Sequence, residues 1–154
     1  MRWCEPRAKS PCCSRATESV RALIQRVRWA AVEVDGQEVG RIGPGMLVFL
    51  GVERDDDAAR ADALAARLLA YRVFADADGR MNLDVRAAGG GVLVVSQFTL
   101  AADTTRGLRP GFSTAAAPDA ANALYERVLG VLRERHAPVA CGVFGASMQV
   151  SLCN

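Results

Sequence analysis

The sequence has few of the residues that bind metals or form covalent cross-links. It contains one histidine, His136, and one lysine, Lys9, among 154 residues. Its five cysteines are an odd number without Cys-x-x-Cys spacing, which indicates neither a disulfide framework nor a zinc site. No second histidine or cysteine stands at helical or strand spacing from His136, which we interpret as a solvated helix end. We therefore expect no metal, no other cofactor, and reduced thiols in a cytoplasmic protein.

The sequence also lacks long apolar runs. A membrane-spanning helix needs about 18 consecutive apolar residues, whereas the best candidates, Gly45–Val52 and Gly91–Leu100, are short and typical of buried strands. A secretory signal is not indicated, because Met1–Ser19 contains basic residues but no apolar core. Hydrophobic residues make up 51% of the chain and charged residues 23%, close to the globular average. We expect a soluble domain with no membrane partner.

The charge balance excludes a strongly basic binding protein. The formal net charge is +2, whereas general nucleic-acid binders concentrate positive charge and have a pI above about 9. Arginine supplies nearly all of the positive charge, and its guanidinium group binds phosphate in a bidentate manner. We expect no DNA partner, while a tRNA or nucleotide partner stays open.

The apolar pattern predicts an α/β fold with mixed sheets and two helices, layered β/β/α. Met1–Ser19 contains prolines and cysteines but no periodic pattern of apolar residues, and we expect disorder there. Asp35-Gly36 is a strong hairpin signal. Strands are predicted at Arg21–Trp29, Val32–Asp35, Glu38–Ile42, Met46–Val52, Val73–Ala75, Met81–Val85, Gly91–Phe98, Val139–Phe144 and Ser147–Leu152, and helices at Asp55 to about Arg72 and Asp119–Arg135.

Both helices carry start signals. Asp55–Asp57 can cap the first helix, although three carboxylates could also form a hard-metal cluster. Pro118 suits the first turn of the second helix. Helical spacing predicts two buried faces, one formed by Ala61, Leu64, Leu68 and Tyr71 and the other by Ala123, Leu124, Val128 and Leu132.

The polar end of the strongest predicted strand is the first candidate site. The apolar run from Gly91 ends in Ser96, Gln97, Phe98 and Thr99. Polar groups held at the mouth of a buried strand are well placed to meet a ligand. A catalytic triad is not supported, because neither histidine nor cysteine lies nearby in sequence. The residues alone favour the simpler interpretation, in which these polar side chains only satisfy loop backbone.

Three other features are weaker alone. Arg26, within a predicted strand, is either an edge contact with solvent or a buried positioning group. The loop with Arg106 and Arg109 could contact phosphate, although solvated loop arginines are commoner. The stretch Phe144–Met148 could hold a flat ring or could be ordinary core with a glycine bulge.

Taken together, these segments resemble the D-aminoacyl-tRNA deacylases of the D-Tyr-tRNA(Tyr) deacylase type. The resemblance extends over Arg21–Asn154, and motifs in this order and spacing are highly specific. The motifs that carry it are Gln25–Val27, Asp78–Asn82, Ser96–Ala101, Arg106–Pro110, Phe144–Ala146 and Met148–Leu152.

The resemblance implies a cytoplasmic homodimer that hydrolyses the ester between a D-amino acid, or glycine, and the 3′ end of tRNA as proofreading. Ser96, Gln97, Phe98 and Thr99 match the motif that forms one wall of the active site. Substrate-binding residues are implied as well: Phe144, Gly145 and Met148 near the terminal adenosine, and Arg26 steadying the chirality-reading loop.

Two mechanisms are compatible with the resemblance. Thr99 could be a nucleophile. Alternatively, main-chain N–H groups around Phe98 and Thr99 hold the ester carbonyl while the 2′-hydroxyl of the tRNA assists. We favour the second mechanism, because no base is near Thr99 and oriented dipoles suffice.

The chain departs from the family pattern at both ends. Family members continue beyond the equivalent of Asn154 with a cis Gly-Pro motif and a last strand, whereas the last proline here is Pro138. We expect residues 21–154 to be a single domain truncated at its C-terminus, with no other cis X-Pro bond. We expect residues 1–20 to be a disordered or wrongly assigned extension. Val20 stands at the position where family chains usually begin with Met.

Two other functions remain as alternatives to the esterase. One is a truncated, catalytically impaired relative that keeps only tRNA binding or dimer assembly. The other is a small-ligand binding module without an RNA partner, which salt-dependent tRNA binding would contradict.

Overall fold

The computed structural model describes residues 20–105 and 108–154. The expected disorder of Met1–Ser19 and the role suggested for Arg106 lie outside these residues. The strands are β1 Arg21–Val27, β2 Trp29–Val34, β3 Gln37–Ile42, β4 Gly45–Gly51, β5 Phe74–Ala75, β6 Met81–Leu83, β7 Gly91–Ser96, β8 Val139–Cys141 and β9 Met148–Cys153. The helices are α1 Ala58–Ala70, α2 Pro118–Arg135 and the 3₁₀ helix Phe98–Ala101.

The central sheet has the strand order β1-β4-β7-β8. β7 pairs in parallel with both β4 and β8, while β1 lies antiparallel to β4 at the edge. β7 is buried from Gly91 to Val95, as expected for a parallel strand covered on both faces. The two backbones meet so closely that a Cβ on Gly45 would lie 2.1 Å from the Gly91 carbonyl oxygen. Glycine at this position therefore permits the β4–β7 pairing.

The second sheet is antiparallel, with the order β3-β2-β9. Its hairpin turns at Asp35 and Gly36, whose φ angles are 51° and 76°. Positive φ at both central residues is the requirement of a type I′ turn, so the predicted hairpin is confirmed. A third, two-stranded sheet joins β5 and β6.

The central sheet lies between the helices and the second sheet. Met46, Val48 and Val94 face a core that includes Leu68 of α1 and Leu129 of α2. The opposite face carries a second core, formed by Val27, Ala30, Val32, Ile42, Leu47, Leu93 and Val95. The predicted β/β/α layering is confirmed.

The helix start signals act as predicted. The Asp57 carboxylate accepts a hydrogen bond of 2.8 Å from the Arg60 backbone N–H and caps α1. α2 has no side-chain cap and begins with Pro118, whose missing N–H needs no acceptor. Arg127 joins the helices through two hydrogen bonds of 2.7 Å to the carboxylate of Asp62.

The predicted buried faces are partly wrong. Tyr71 is 40% exposed because α1 ends at Ala70 and the chain turns extended at Tyr71. Leu69 is buried in its place. In α2, Ala123 is exposed and Tyr125 is buried, so the buried face is rotated from the predicted one.

Three further expectations need correction. Phe98 belongs to the 3₁₀ helix and not to strand β7. His136 is half-buried rather than solvated, and its Nε2 lies 2.8 Å from the Gly90 carbonyl oxygen. The Ala137–Pro138 bond is cis, which the tertiary amide of an X-Pro bond makes accessible.

In residues 20–105 and 108–154, none of the helices has the length and apolar character to cross a membrane.

Candidate active site

A cavity of about 330 Å³ lies where β4, β7 and β8 end. Crevices at the carboxyl ends of parallel strands are the usual ligand sites of such sheets. Leu50 and Ser96 come from the ends of β4 and β7, and Phe144 follows β8. The lining residues are Leu50, Val52, Ser96, Gln97, Phe98, Ala115, Ala116, Pro118, Ala121, Tyr125, Phe144, Gly145, Ala146 and Met148.

The polar end of β7 forms one wall of this cavity. The Gln97 N–H continues the sheet pairing and donates to the Leu50 carbonyl oxygen at 2.7 Å. The 3₁₀ helix begins at the next residue, Phe98, which is 63% exposed. The Ser96 hydroxyl is half-buried and makes no hydrogen bond to another described residue.

The backbone N–H groups of Phe98 and Thr99 are available to a ligand. The first N–H groups of any helix have no acceptor within the helix. The backbone hydrogen bonds that connect the described elements use neither group as a donor, whereas Leu100 and Ala102 donate to Gln97 and Thr99. Two donors without a partner among the described residues therefore lie in the first turn of the 3₁₀ helix, in which Phe98 lines the cavity and Thr99 is the next residue.

Close packing fixes the position of this turn. A Cβ on Gly51, the last residue of β4, would lie 2.7 Å from Leu100 Cβ and 3.1 Å from the Gln97 carbonyl oxygen. Arg21 Nη1 donates to the Leu100 carbonyl oxygen at 3.0 Å. The turn is thus held from the end of β4 and from β1.

Thr99 does not have the surroundings of a nucleophile. Its side chain is exposed and is not part of the cavity lining. Its Oγ1 accepts a hydrogen bond of 2.6 Å from Gln97 Nε2, an amide that cannot take up a proton. Activation of a hydroxyl normally requires an adjacent base.

Tyr125 is the one titratable side chain among the described residues that line the cavity. Burial raises its pKa far above the ordinary value. Its hydroxyl lies 3.0 Å from the Val94 carbonyl oxygen and 3.3 Å from that of Gly142. Tyr125 therefore stays protonated and occupied with backbone acceptors, and it supplies neither an acid nor a base.

The connection from β8 to β9 forms a second wall of the cavity. The Phe144 ring packs against Tyr125 with centroids 5.8 Å apart, and Gly145 has a φ of 75° that favours glycine. Met148 opens β9, and its Sδ would lie 2.5 Å from a Cβ on Gly142. The structure brings these residues together with Ser96–Phe98 around one cavity.

Arg26 lies apart from the other predicted residues. Its side chain is exposed and is not part of the cavity lining. Its Nη1 donates to the Val73 carbonyl oxygen at 2.8 Å, which ties β1 to the segment before β5. Arg109 is also exposed.

Sequence reasoning missed the part of the lining that lacks functional groups. Ala115, Ala116 and Ala121 present only backbone and methyl groups, and Tyr125 was not predicted to face inward. The proline at the start of α2 is the only sequence signal that marks this wall.

The sequence model for D-Tyr-tRNA(Tyr) deacylase matches residues 23–154. The chain belongs to this family. A D-aminoacyl-tRNA deacylase of Enterobacter sp. (strain 638) is 59% identical over 133 residues, covering 86% of this chain and 92% of the relative. One from Cellvibrio japonicus (strain Ueda107) is 61% identical over 132 residues, covering 86% and 90%.

Solved structures show the same fold. A c-Myc DNA Unwinding Element Binding Protein superposes with a TM-score of 0.82 and 34% identity, over 86% of this chain and 91% of its own. A probable eukaryotic D-amino acid tRNA deacylase superposes with a TM-score of 0.73 over 86% and 92%. Its 18% identity supports the fold alone.

Proposed function

We propose that the cavity at the ends of β4, β7 and β8 is where this chain hydrolyses the ester of a D-aminoacyl-tRNA. The observation that carries the proposal is the pair of unpaired N–H groups, of Phe98 and Thr99, in the turn at the cavity wall. Donors held in place before reaction stabilise the negative charge that develops on an ester oxygen. Removal of one such donor typically costs about 10²–10³-fold in kcat.

The reaction then proceeds without a protein nucleophile. The ester carbonyl oxygen accepts hydrogen bonds from the Phe98 and Thr99 N–H groups, and water attacks the carbonyl carbon. The bond to the ribose 3′ oxygen breaks, that oxygen leaves with a proton, and the products are the free amino acid and tRNA. The vicinal 2′-hydroxyl of the substrate assists the proton transfer, since Tyr125 stays protonated and is occupied by backbone acceptors.

The walls of the cavity divide substrate binding between them. Phe144, Gly145 and Met148 hold the terminal adenosine, and Ser96 and Gln97 lie beside the ester. Arg26 acts outside the cavity as a positioning residue, through its hydrogen bond to the Val73 carbonyl oxygen. Glycyl-tRNA is a second substrate on this proposal, because an achiral acyl group has no side chain to exclude.

We further propose a homodimer that acts in the cytoplasm, where aminoacyl-tRNA is used. An incompletely covered face at the β1 edge supports the dimer. Leu23 of β1 is 48% exposed, and Gln25 Oε1 is buried without a hydrogen-bond partner in the described part of the chain. Sedimentation of the purified chain at micromolar concentration tests this, and a monomer would contradict it.

The direct test of function is the release of the esterified amino acid from D-Tyr-tRNA, L-Tyr-tRNA and Gly-tRNA by the purified chain. We expect release from the D-ester and the glycyl ester. Equal release from the L-ester would show that this chain has lost chiral discrimination, and slow release from the L-ester would show that it has kept it. Release from none of them, together with salt-dependent tRNA binding, would support the alternative of an impaired relative that keeps only tRNA binding or dimer assembly.

A further inference from the structure

Two aromatic side chains at the cavity mouth have no part in the chemistry proposed above. Phe98 lines the cavity and is 63% exposed, and Phe112, in the loop that follows the 3₁₀ helix, is 39% exposed. Their ring centroids lie 5.1 Å apart with an angle of 54° between the planes. We call Phe98 and Phe112 the rim pair. Because the rings are tilted and do not cover each other's faces, the pair has open aromatic surface for a third ring.

Backbone hydrogen bonds hold Phe112 in this position. Asp103 and Gly111 exchange two hydrogen bonds of 2.8 and 2.9 Å, and the Phe112 carbonyl oxygen accepts one of 3.1 Å from Ala115. Thr114 Oγ1 donates to the Ala101 carbonyl oxygen at 2.6 Å and joins the loop to the end of the 3₁₀ helix. Binding to a side chain that is already placed costs little ordering entropy.

We propose that the rim pair stacks on the base of the nucleotide that precedes the terminal adenosine of tRNA. This inference rests on the proposed function. When the acylated adenosine occupies the cavity, the polynucleotide leaves through the mouth. Phe98 belongs both to the cavity lining and to the rim pair, so the rim pair continues the binding surface along that path. Stacking on aromatic rings is a general mode of binding unpaired bases.

The constancy of the ligand favours a base over the amino-acid side chain. Every tRNA carries the same cytidine before its terminal adenosine, so one fixed aromatic surface serves all substrates. The acyl groups of D-aminoacyl-tRNAs differ in size and polarity, and a fixed pair of phenyl rings would suit few of them. Phe112 also lies outside the cavity lining, beside the exposed ring of Phe98.

The test compares Phe112→Leu with the unaltered chain on two substrates: D-Tyr-tRNA and the same tRNA made abasic at the penultimate nucleotide. We expect Phe112→Leu to lower kcat/KM by about 5- to 150-fold on the intact substrate, the range for loss of a base-stacking ring. On the abasic substrate the variant and the unaltered chain should agree within about twofold. Any loss of folded protein affects both substrates equally and cancels in this comparison.

Two further variants sharpen the test. Phe112→Trp keeps an aromatic face and should retain the preference for the intact substrate. Leu108→Ala removes a fully exposed apolar side chain from the same loop and should change neither rate. If Leu108→Ala reproduced the base-dependent loss, the assignment to an aromatic stack would be overturned.

Other results would separate this inference from the proposed function. An equal loss on both tRNAs would overturn the inference and leave the esterase standing. A loss of rate that varies with the size of the acyl group would also overturn the inference, because the rings would then contact the amino acid. A loss accompanied by a change in sedimentation would overturn it as well, because the rings would then contact a second copy of the chain. If the unaltered chain hydrolysed neither substrate, the proposed function itself would fail.

Discussion

Two short segments of this chain both carry several polar side chains and differ in how they use their polar groups. The closed segment, Asp76–Asn82, satisfies itself: the Asp76 carboxylate accepts hydrogen bonds of 2.7 to 3.0 Å from the Asn82 amide and from the Arg80 and Asp78 backbone N–H groups. The open segment, Ser96–Thr99, has one internal side-chain bond, from Gln97 to Thr99. Its remaining donors are the Ser96 and Thr99 hydroxyls, the second N–H of the Gln97 amide and two backbone N–H groups.

The difference shows what separates a structural polar segment from a candidate site. Unsatisfied polar groups beside an apolar cavity are costly unless a ligand or water takes them up. In the closed segment both oxygens of the Asp76 carboxylate are already used as acceptors, and this carboxylate has little to offer a ligand. The open segment keeps donors free beside a cavity, which is the arrangement that an oxyanion site requires.

The largest expected effect comes from removing one free donor of the open segment. Phe98→Pro deletes the N–H at the first helical position, where proline is tolerated, and Gln97 before it is not helical (φ −142°). We expect kcat on D-Tyr-tRNA to fall about 10²–10³-fold below that of Phe98→Ala, which loses the ring but keeps the N–H. Equal rates in the two variants, both folded by circular dichroism, would contradict the oxyanion role.

A smaller loss is expected when the open segment is displaced with its groups intact. In Gly51→Ala the added methyl group meets Leu100 Cβ at 2.7 Å and pushes the 3₁₀ helix from the end of β4. A misplacement of about 1 Å can cost about 10²-fold, so kcat/KM should fall by that order while the chain stays folded.

The matched control for this displacement is Gly130→Ala in α2, where a Cβ would meet nothing within 4 Å. This variant should keep its rate and gain up to about 1 kcal/mol of stability, because alanine favours helix more than glycine does. Unchanged kcat/KM in Gly51→Ala would show that the position of the turn does not matter.

Removing the hydrogen bonds of the closed segment should lower the stability of the fold and leave catalysis unchanged. Hydrogen bonds from Asn82, Arg80 and Asp78 hold the pKa of Asp76 below its ordinary value. The stabilisation is therefore complete above the unfolded pKa of about 3.9 and is lost as the pH falls through the lower folded pKa. We expect Asp76→Ala to lower Tm at pH 7 and the Tm difference from the unaltered chain to shrink below about pH 4.

Asp78→Ala provides the control for this prediction, because that carboxylate makes no hydrogen bond to the described residues. Its Tm should stay close to that of the unaltered chain. If folded Asp76→Ala had a lower kcat/KM at 25 °C than the unaltered chain, the closed segment would contribute to catalysis and the prediction would be wrong.

The smallest effect is expected at the Thr99 hydroxyl. Thr99→Ala removes the acceptor of one exposed hydrogen bond from Gln97 and keeps the backbone N–H. The single-turnover rate should stay within about threefold of the unaltered chain, since loss of a true nucleophile costs orders of magnitude. A drop of several orders would return Thr99 to the role of nucleophile.

The sequence predicts those parts of the site where the residue type changes abruptly along the chain. The apolar run from Gly91 ends abruptly at Ser96, and Phe144 and Gly145 interrupt the two final strands. Such boundaries show which residues leave a sheet at its edge. The motifs then place both sets of residues in one family, as the match over residues 23–154 confirms.

The parts that the sequence does not predict depend on packing between distant segments. Ala123 and Tyr125 are two residues apart and lie on nearly opposite sides of α2, so only one of them can face inward. The sequence does not show that the Val94 and Gly142 carbonyl oxygens are placed to accept from the hydroxyl of a buried Tyr125. The N–H of Phe98 has no signature in a sequence at all. Its availability depends on where β7 ends and a 3₁₀ helix begins, and the close approach of Gly51 fixes that point.

The parallel arrangement of β4, β7 and β8 has a consequence for how such a protein diversifies. Each strand delivers its own connecting segment to the same edge, so the walls around the substrate come from separate stretches of chain. Exchange or lengthening of one stretch reshapes one wall and leaves the register of the strands intact. New preferences for acyl group or acceptor nucleotide can therefore arise one wall at a time on an unchanged framework.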